Sequence, residues 1–305
     1  MAFPDAYWSS YEHEVHTLAG YLRAVRTISA FEEASQARFI WRGVKSADWG
    51  LHSRLFRAYK DAYGGATPTE RQLRSFEEDV LAEARDWSLD WHSSGGRLSA
   101  LELLAALQHF GVPTRLIDFT FSPLVALWFA VESGESDEGR VFAIDISRRE
   151  IEAAEASLGA PFWNKYSTRT DTPWTTRSWA WRPPPIEPRI ARQESCFLMG
   201  GVPSTQPRRV YRGARDRWFD LHAGEVRTCM SLPFQLVRYA RAEAAARGVR
   251  VAAKPDEVRA FTLRVRRKSR LRADLENALG YAHRTLFPDL TGFEQYGRSW
   301  RPPES

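Results

Sequence analysis

Gln108-His109-Phe110-Gly111-Val112-Pro113-Thr114-Arg115-Leu116-Ile117-Asp118-Phe119-Thr120-Phe121-Ser122-Pro123-Leu124 is the stretch on which the fold turns. Upstream, Ser99 opens a run from Ala100 to Phe110 that is apolar nearly all round, as a buried helix is. Gly111 and Pro113 break it, and Leu116 to Phe119 reads as a strand. Side chains alternate along a strand, so Leu116 and Asp118 share a face that Thr120 continues. Ser122 suits an N-cap, Pro123 suits the first turn, and the helix runs from Leu124 to Glu132.

Working outward, Arg38 to Trp41 reads as a short strand ending at Gly43. Leu73, Phe76, Val80, Leu81, Ala84 and Trp87 recur at helical spacing between Glu70 and Trp91, with Thr67 or Thr69 as the cap. A strand is expected from Arg140 to Ile146. Further strands are expected over Ile190–Met199, Glu225–Met230 and Ala260–Arg266. Helices are expected over Phe234–Arg247 and Leu271–Leu279, each followed by glycine. Residues 161–189 hold Trp163, Trp174, Trp179 and Trp181 with Pro183-Pro184-Pro185, and read as a long loop laid on the surface. The fold class is α+β: a mixed sheet core with a helical N-terminal half. Residues 1–37 read as a helical lead-in, 38–296 as the main domain and 297–305 as a tail.

Charge is uneven. Residues 1–150 carry 16 Lys/Arg and 22 Asp/Glu, a net of −6; the remainder carries 27 and 16, a net of +11. Such a surplus fits a basic face for a phosphate-rich partner, or an ordinary solvated surface. Cys196 and Cys229 give neither a disulfide framework nor a metal cage, and read as buried thiols of a cytoplasmic protein. No metal site, signal peptide or membrane span is expected: the longest apolar stretch, Leu124 to Val131, is too short to cross a bilayer.

Three segments together resemble the FRG domain family. They are Phe39-Ile40-Trp41-Arg42-Gly43, the central block running on through Ala126-Leu127-Trp128-Phe129-Ala130, and Leu286-Phe287-Pro288-Asp289-Leu290-Thr291-Gly292. The family's marks are an aromatic-Arg-Gly motif, a His-x-Gly-x-Pro-Thr-Arg-Leu-x-Asp block and a Leu-Phe-Pro-Asp-Leu ending. Trp41 stands where the family has Phe or Tyr. Trp49, Arg54, Arg189 and Gln193 also fall at family positions.

Read from its own chemistry, Arg42 offers a planar fork for a pyrophosphate or carboxylate, or else ties down a loop through a carbonyl or through Asp118. The central block adds His109, Arg115, Asp118, Thr120 and Ser122 within 14 residues. A Ser-His-Asp triad drawn from Ser122, His109 and Asp118 lacks a nucleophile elbow.

A second resemblance is to mono-ADP-ribosyltransferases of the Arg-Ser-Glu type. Arg42-Gly43, Thr120-Phe121-Ser122, Ala126-x-x-Phe129 and Gln193-Glu194-Ser195 follow that family's order, with Ser195 where its last Glu belongs. This resemblance implies an ADP-ribosyltransferase-like fold and NAD as substrate. Arg42, Gly43, His109, Arg115, Thr120 and Ser122 would contact NAD. Glu194, Gln193 or Asp118 would stabilise an oxocarbenium-like transition state. It also implies a toxin or anti-phage defence effector whose acceptor, nucleic acid or protein, meets the basic segment 161–189. Its tryptophans would stack on exposed bases, or simply pin the segment to the core. A non-catalytic nucleotide- or nucleic-acid-binding module on the same scaffold is the alternative.

Overall fold

The structure is a computed structural model. It describes residues 5–9, 11–35, 38–91, 95–133, 138–147, 173–184, 188–203, 208–212, 217–221, 223–249, 258–289, 292–293 and 296. The first half runs α1 (Asp5–Trp8), β1 (Glu12–Val15), α2 (Leu18–Ser35), β2 (Phe39–Val44), α3 (Arg54–Ala62), α4 (Glu70–Asp86), α5 (Ala100–His109), β3 (Ile117–Thr120), α6 (Pro123–Val131) and β4 (Gly139–Asp145). Then follow α7 (Pro173–Thr176), β5 (Ser178–Trp181), α8 (Pro188–Arg192), β6 (Ser195–Gly200), β7 (Arg208–Arg212), β8 (Arg217–Leu221), α9 (Ala223–Cys229), β9 (Gln235–Leu236), α10 (Tyr239–Ala246), β10 (Arg259–Val265), α11 (Lys268–Leu279) and α12 (His283–Leu286).

Among the described residues, eight strands form one mixed sheet in the order β1-β10-β4-β2-β3-β6-β5, with β9 also on β10. Strands β1 and β9 run parallel to β10, and the other pairs are antiparallel. Period-two alternation sends Phe39 and Trp41 to one face and Ile40 to the other. The first face packs with Val141, Phe261 and Leu263 under α2, α6, α10 and α11. The second packs with Phe119, Phe142 and Ile144 against Trp8, Met230 and Phe234. The fold is therefore α+β, with strands and helices interleaved in the first half.

Local signals explain the helix ends. Thr69 and Gln72 close a capping box on α4, Ser99 and Glu102 close one on α5, and Gly280 ends α11 in the left-handed region. Ser122 Oγ accepts from the Val125 amide 3.4 Å away, with Pro123 at the first position of α6.

Four expectations are corrected. Ile190–Met199 is not one strand: α8 ends at Arg192, a turn follows, and β6 starts at Ser195. Glu225–Cys229 is helical, with Val226 on its buried side, and the buried Met230 follows it as a bridge to Leu51. The stretch before Tyr239 forms β9, so the helix expected from Phe234 is shorter. Segment 161–189 is no simple surface loop either. Its described part holds α7 and β5, an edge strand, with Trp174 and Trp181 buried beside Leu104 and Met199; Trp163 lies outside the described residues. Both cysteines are buried and neither forms a disulfide among the described residues, and burial pushes the Cys229 thiol up to about 12. Among the described residues no helix is long and apolar enough to cross a membrane.

Candidate functional site

Strands β2 and β3 pair at Trp41 and Thr120. Beyond that pair the Arg42 side chain spans the gap, Nη1 donating to the Asp118 carbonyl oxygen and lying 3.8 Å from its carboxylate. The tying reading of Arg42 holds: it ties β3 down through Asp118, and it does so on the wall of a cavity of about 610 Å³. Burial lowers the Arg42 pKa; Asp118 opposes the shift and Arg57 adds to it. The guanidinium nonetheless keeps its charge near neutral pH. Its Nε has no hydrogen-bond partner among the described residues.

Asp118 is held in a short relay. The Thr114 hydroxyl donates to Gln108 Oε1, and Gln108 Nε2 donates to Asp118 Oδ1 at 2.8 Å. This fixes the Gln108 amide and aims the carboxylate along the cleft, where its side chain remains 67% exposed. His109, at the end of α5, lines the same cavity. Thr120 donates from Oγ1 to the Gln193 carbonyl at 2.6 Å and accepts from the Ser122 amide at 2.9 Å. The Gln193 side chain lines the cavity and donates to the Leu286 carbonyl at 2.9 Å. That bond, with Phe287 on the cavity wall, brings the third sequence motif to the site.

The cavity therefore gathers Arg42, Gly43, His109, Asp118, Thr120 and Gln193. Three expected site residues stand elsewhere. Arg115 is buried away from it: Nε donates to Glu77, and Nη1 lies 3.0 Å from Glu70. Burial works against the Arg115 charge, but Glu70 and Glu77 outweigh it and raise the pKa. Ser122 is spent on the α6 cap and does not line the cavity. Glu194 is exposed, in the left-handed turn (φ 46°) between α8 and β6, and its carbonyl accepts from the Phe121 amide at 3.0 Å. The strand that was to aim Glu194 or Gln193 does not extend to them. Gly43 lines the cavity, yet its lack of a side chain serves α6, whose backbone sits directly on it.

Sequence reasoning missed Arg57, His52 and Gln108, and noted Arg54 and Trp49 only as family positions. All five line the cavity. A signal was present: Arg54 and Arg57 stand three apart in the first turn of α3, so both lie on one helix face. Neither side chain has a hydrogen bond or ion pair among the described residues. Burial lowers the Arg57 pKa, with Arg54 adding to the shift. His52 stacks on Phe56 with centroids 5.0 Å apart, and its Nε2 lies 2.9 Å from the Arg227 carbonyl, so Nε2 carries the proton. Burial pushes its pKa down to about 4, and Lys60 and Arg57 push the same way against that carbonyl.

His52 is therefore neutral in the folded protein at pH 7, whereas the unfolded chain takes its proton near pH 6.5. A folded pKa below the unfolded one gives stability that is present above pH 6.5 and lost as pH falls toward 4. The loss expected from this residue is up to about 3 kcal/mol. Urea midpoints from pH 7.5 to 4.5 should fall more steeply in the parent than in His52→Gln, and parallel slopes would refute this.

The FRG domain family model matches residues 37–139. No curated protein and no solved structure matches the chain.

Proposed function

We propose that this chain, whose residues 37–139 are an FRG domain, binds NAD in the cleft and breaks its nicotinamide–ribose bond, as an ADP-ribosyltransferase or NAD glycohydrolase. The observation that carries the reading is the imbalance lining the cavity: of Arg42, Arg54 and Arg57, only Arg42 forms an ion pair among the described residues. Guanidinium forks suit the oxygens of a pyrophosphate, and two of the three are uncommitted.

Cleavage needs negative charge beside the ribose as the C–N bond lengthens: its electron pair leaves with nicotinamide, and water or the acceptor nucleophile bonds to the anomeric carbon and loses its proton to solvent. Glu194 points elsewhere, so Asp118 takes that role, oriented by Gln108. Two other carboxylates line the cavity and are engaged: Glu102 accepts from the Ser99 amide at 2.8 Å, and Glu132 pairs with Lys45 at 2.7 Å. Thr120 and Gln193 supply a hydroxyl and an amide on the same wall.

Incubation with NAD should release nicotinamide. Asp118→Asn should lower that rate by at least about 100-fold with NAD binding retained. Arg42→Lys, which keeps charge but loses the fork, should weaken NAD binding about 10-fold. Unchanged turnover in Asp118→Asn would remove the carboxylate from the mechanism. A second reading, a nucleotide-binding module without turnover, draws on Asp118 being largely solvated and already engaged by Arg42 and Gln108. NAD binding without nicotinamide release decides for it.

A further inference from the structure

Besides the buried Trp41, two exposed tryptophans line the same cavity as the arginines, and the phosphate chemistry above makes no use of them. Trp49 and Trp91 are 45% and 55% exposed, where large indoles ordinarily lose most of their surface on folding. The backbone beside Trp49 and the ring of Trp91 are held in place. Trp49 precedes Gly50 and Leu51, whose backbone is pinned by the Leu51 amide donating to the Cys229 carbonyl at 2.8 Å. A side chain at Gly50 would meet that carbonyl and the His52 ring, so the chain beside Trp49 has one path. The Trp49 ring itself has no aromatic or hydrogen-bond partner among the described residues.

Trp91 is fixed differently. It bridges to Arg97, whose guanidinium lies over the indole 5.3 Å from its centroid. Arg97 in turn is held 3.6 Å from the buried Asp90 carboxylate. One face of the ring is covered by a tethered cation, which leaves the other to offer. An exposed indole anchored in this way is a preorganised stacking surface, since little side-chain freedom remains to be lost on binding.

We infer that Trp49 and Trp91 form a nucleobase-stacking subsite of this cavity, so that it selects nucleoside diphosphates over bare polyphosphates. The inference rests on the phosphate reading of Arg42, Arg54 and Arg57. A π-face beside cationic forks matches a ligand that joins a planar heterocycle to two phosphates. The cavity's volume, about 610 Å³, lies within the usual ~300–1,000 Å³ of small-molecule sites.

Calorimetric titration of the full chain with inorganic pyrophosphate and with ADP separates the two layers. Both should bind, ADP more tightly. Trp49→Ala and Trp91→Ala should each weaken ADP about 10-fold and leave pyrophosphate unchanged. Trp49→Phe and Trp91→Phe, which keep an aromatic face, should recover most of the ADP affinity. Trp87→Ala, at an indole that is 70% exposed but outside the cavity, should change neither. Equal loss for both ligands, or no loss for ADP, overturns the subsite. If the parent binds pyrophosphate but ADP no better, the phosphate reading stands and the base subsite falls. If it binds neither, both fall.

Discussion

Gly43→Ala is expected to destabilise the protein by at least about 3 kcal/mol, at the top of the usual range for overpacking. A Cβ at Gly43 would lie 2.6 Å from the Ala130 amide nitrogen and closer still to the Ala126 carbonyl oxygen, both backbone atoms of α6. Neither can swing aside as a side-chain tip can. The helix is buried almost throughout, from Val125 to Val131, and its first turn is tied by the Tyr21 hydroxyl donating to the Pro123 carbonyl at 2.6 Å. Gly139, at the start of β4, takes the same helix, its added Cβ colliding with the Ala130 carbonyl. The helix thus rests on two glycines of neighbouring strands. Because Arg42 is the adjacent residue, any shift that relieves the clash also misplaces the guanidinium. Urea unfolding of Gly43→Ala, with Gly224→Ala as a control where an added Cβ meets nothing within 4 Å, tests this. A loss no larger than the control's would refute the close-packing argument.

Arg115→Met should cost about 3–5 kcal/mol, the range for removing one partner of a buried ion pair. Glu77, which accepts two bonds from Arg115, would be left buried and would lose the one from Nε, the other coming from the backbone amide at 3.1 Å. The backbone bond alone would survive. Glu70 would fare better, since Arg74, the Trp174 indole at 2.7 Å and the Val202 amide at 2.8 Å also reach it. Adding Glu77→Leu should restore much of the loss, because an apolar pair of similar volume is often no less stable than a buried ion pair. A double-mutant cycle on urea midpoints gives the coupling. Independent, additive effects would show that the pair does not act as a unit. Where the variant stays folded, NAD affinity should be unchanged, as Arg115 does not line the cleft.

The central block was legible because its signals are local. Ser122-Pro123 opens α6, Ser99 and Glu102 close a capping box three apart, and Gly280 ends α11. Misreadings came where the deciding partner is remote. Arg115 looks like a ligand-binding arginine until Glu77 arrives from 38 residues upstream. Strand β1, Glu12–Val15, carries charges that suggest no strand at all. It is stitched to the sheet by Glu12 meeting Arg140 at 2.7 Å and Arg264 at 3.0 Å. Glu194 adopts a left-handed conformation uncommon for a residue with a side chain, so nothing in Ile190–Met199 announced a turn. The arginine pair of α3 was overlooked because no helix was expected there, and only a helix puts residues three apart on one face.

The strand order carries a consequence for how the molecule divides. Residues 37–139 supply β2 and β3, which lie in the middle of the sheet, and stop at the first residue of β4. Their neighbours on one side, β4 and β10, and on the other, β6 and β5, come from later in the chain. Cut out alone, that segment would present two raw sheet edges and would lose Gln193 and Phe287 from the cleft. The stretch most recognisable by sequence is thus not a complete sheet on its own: strands from the later half wall it on both sides.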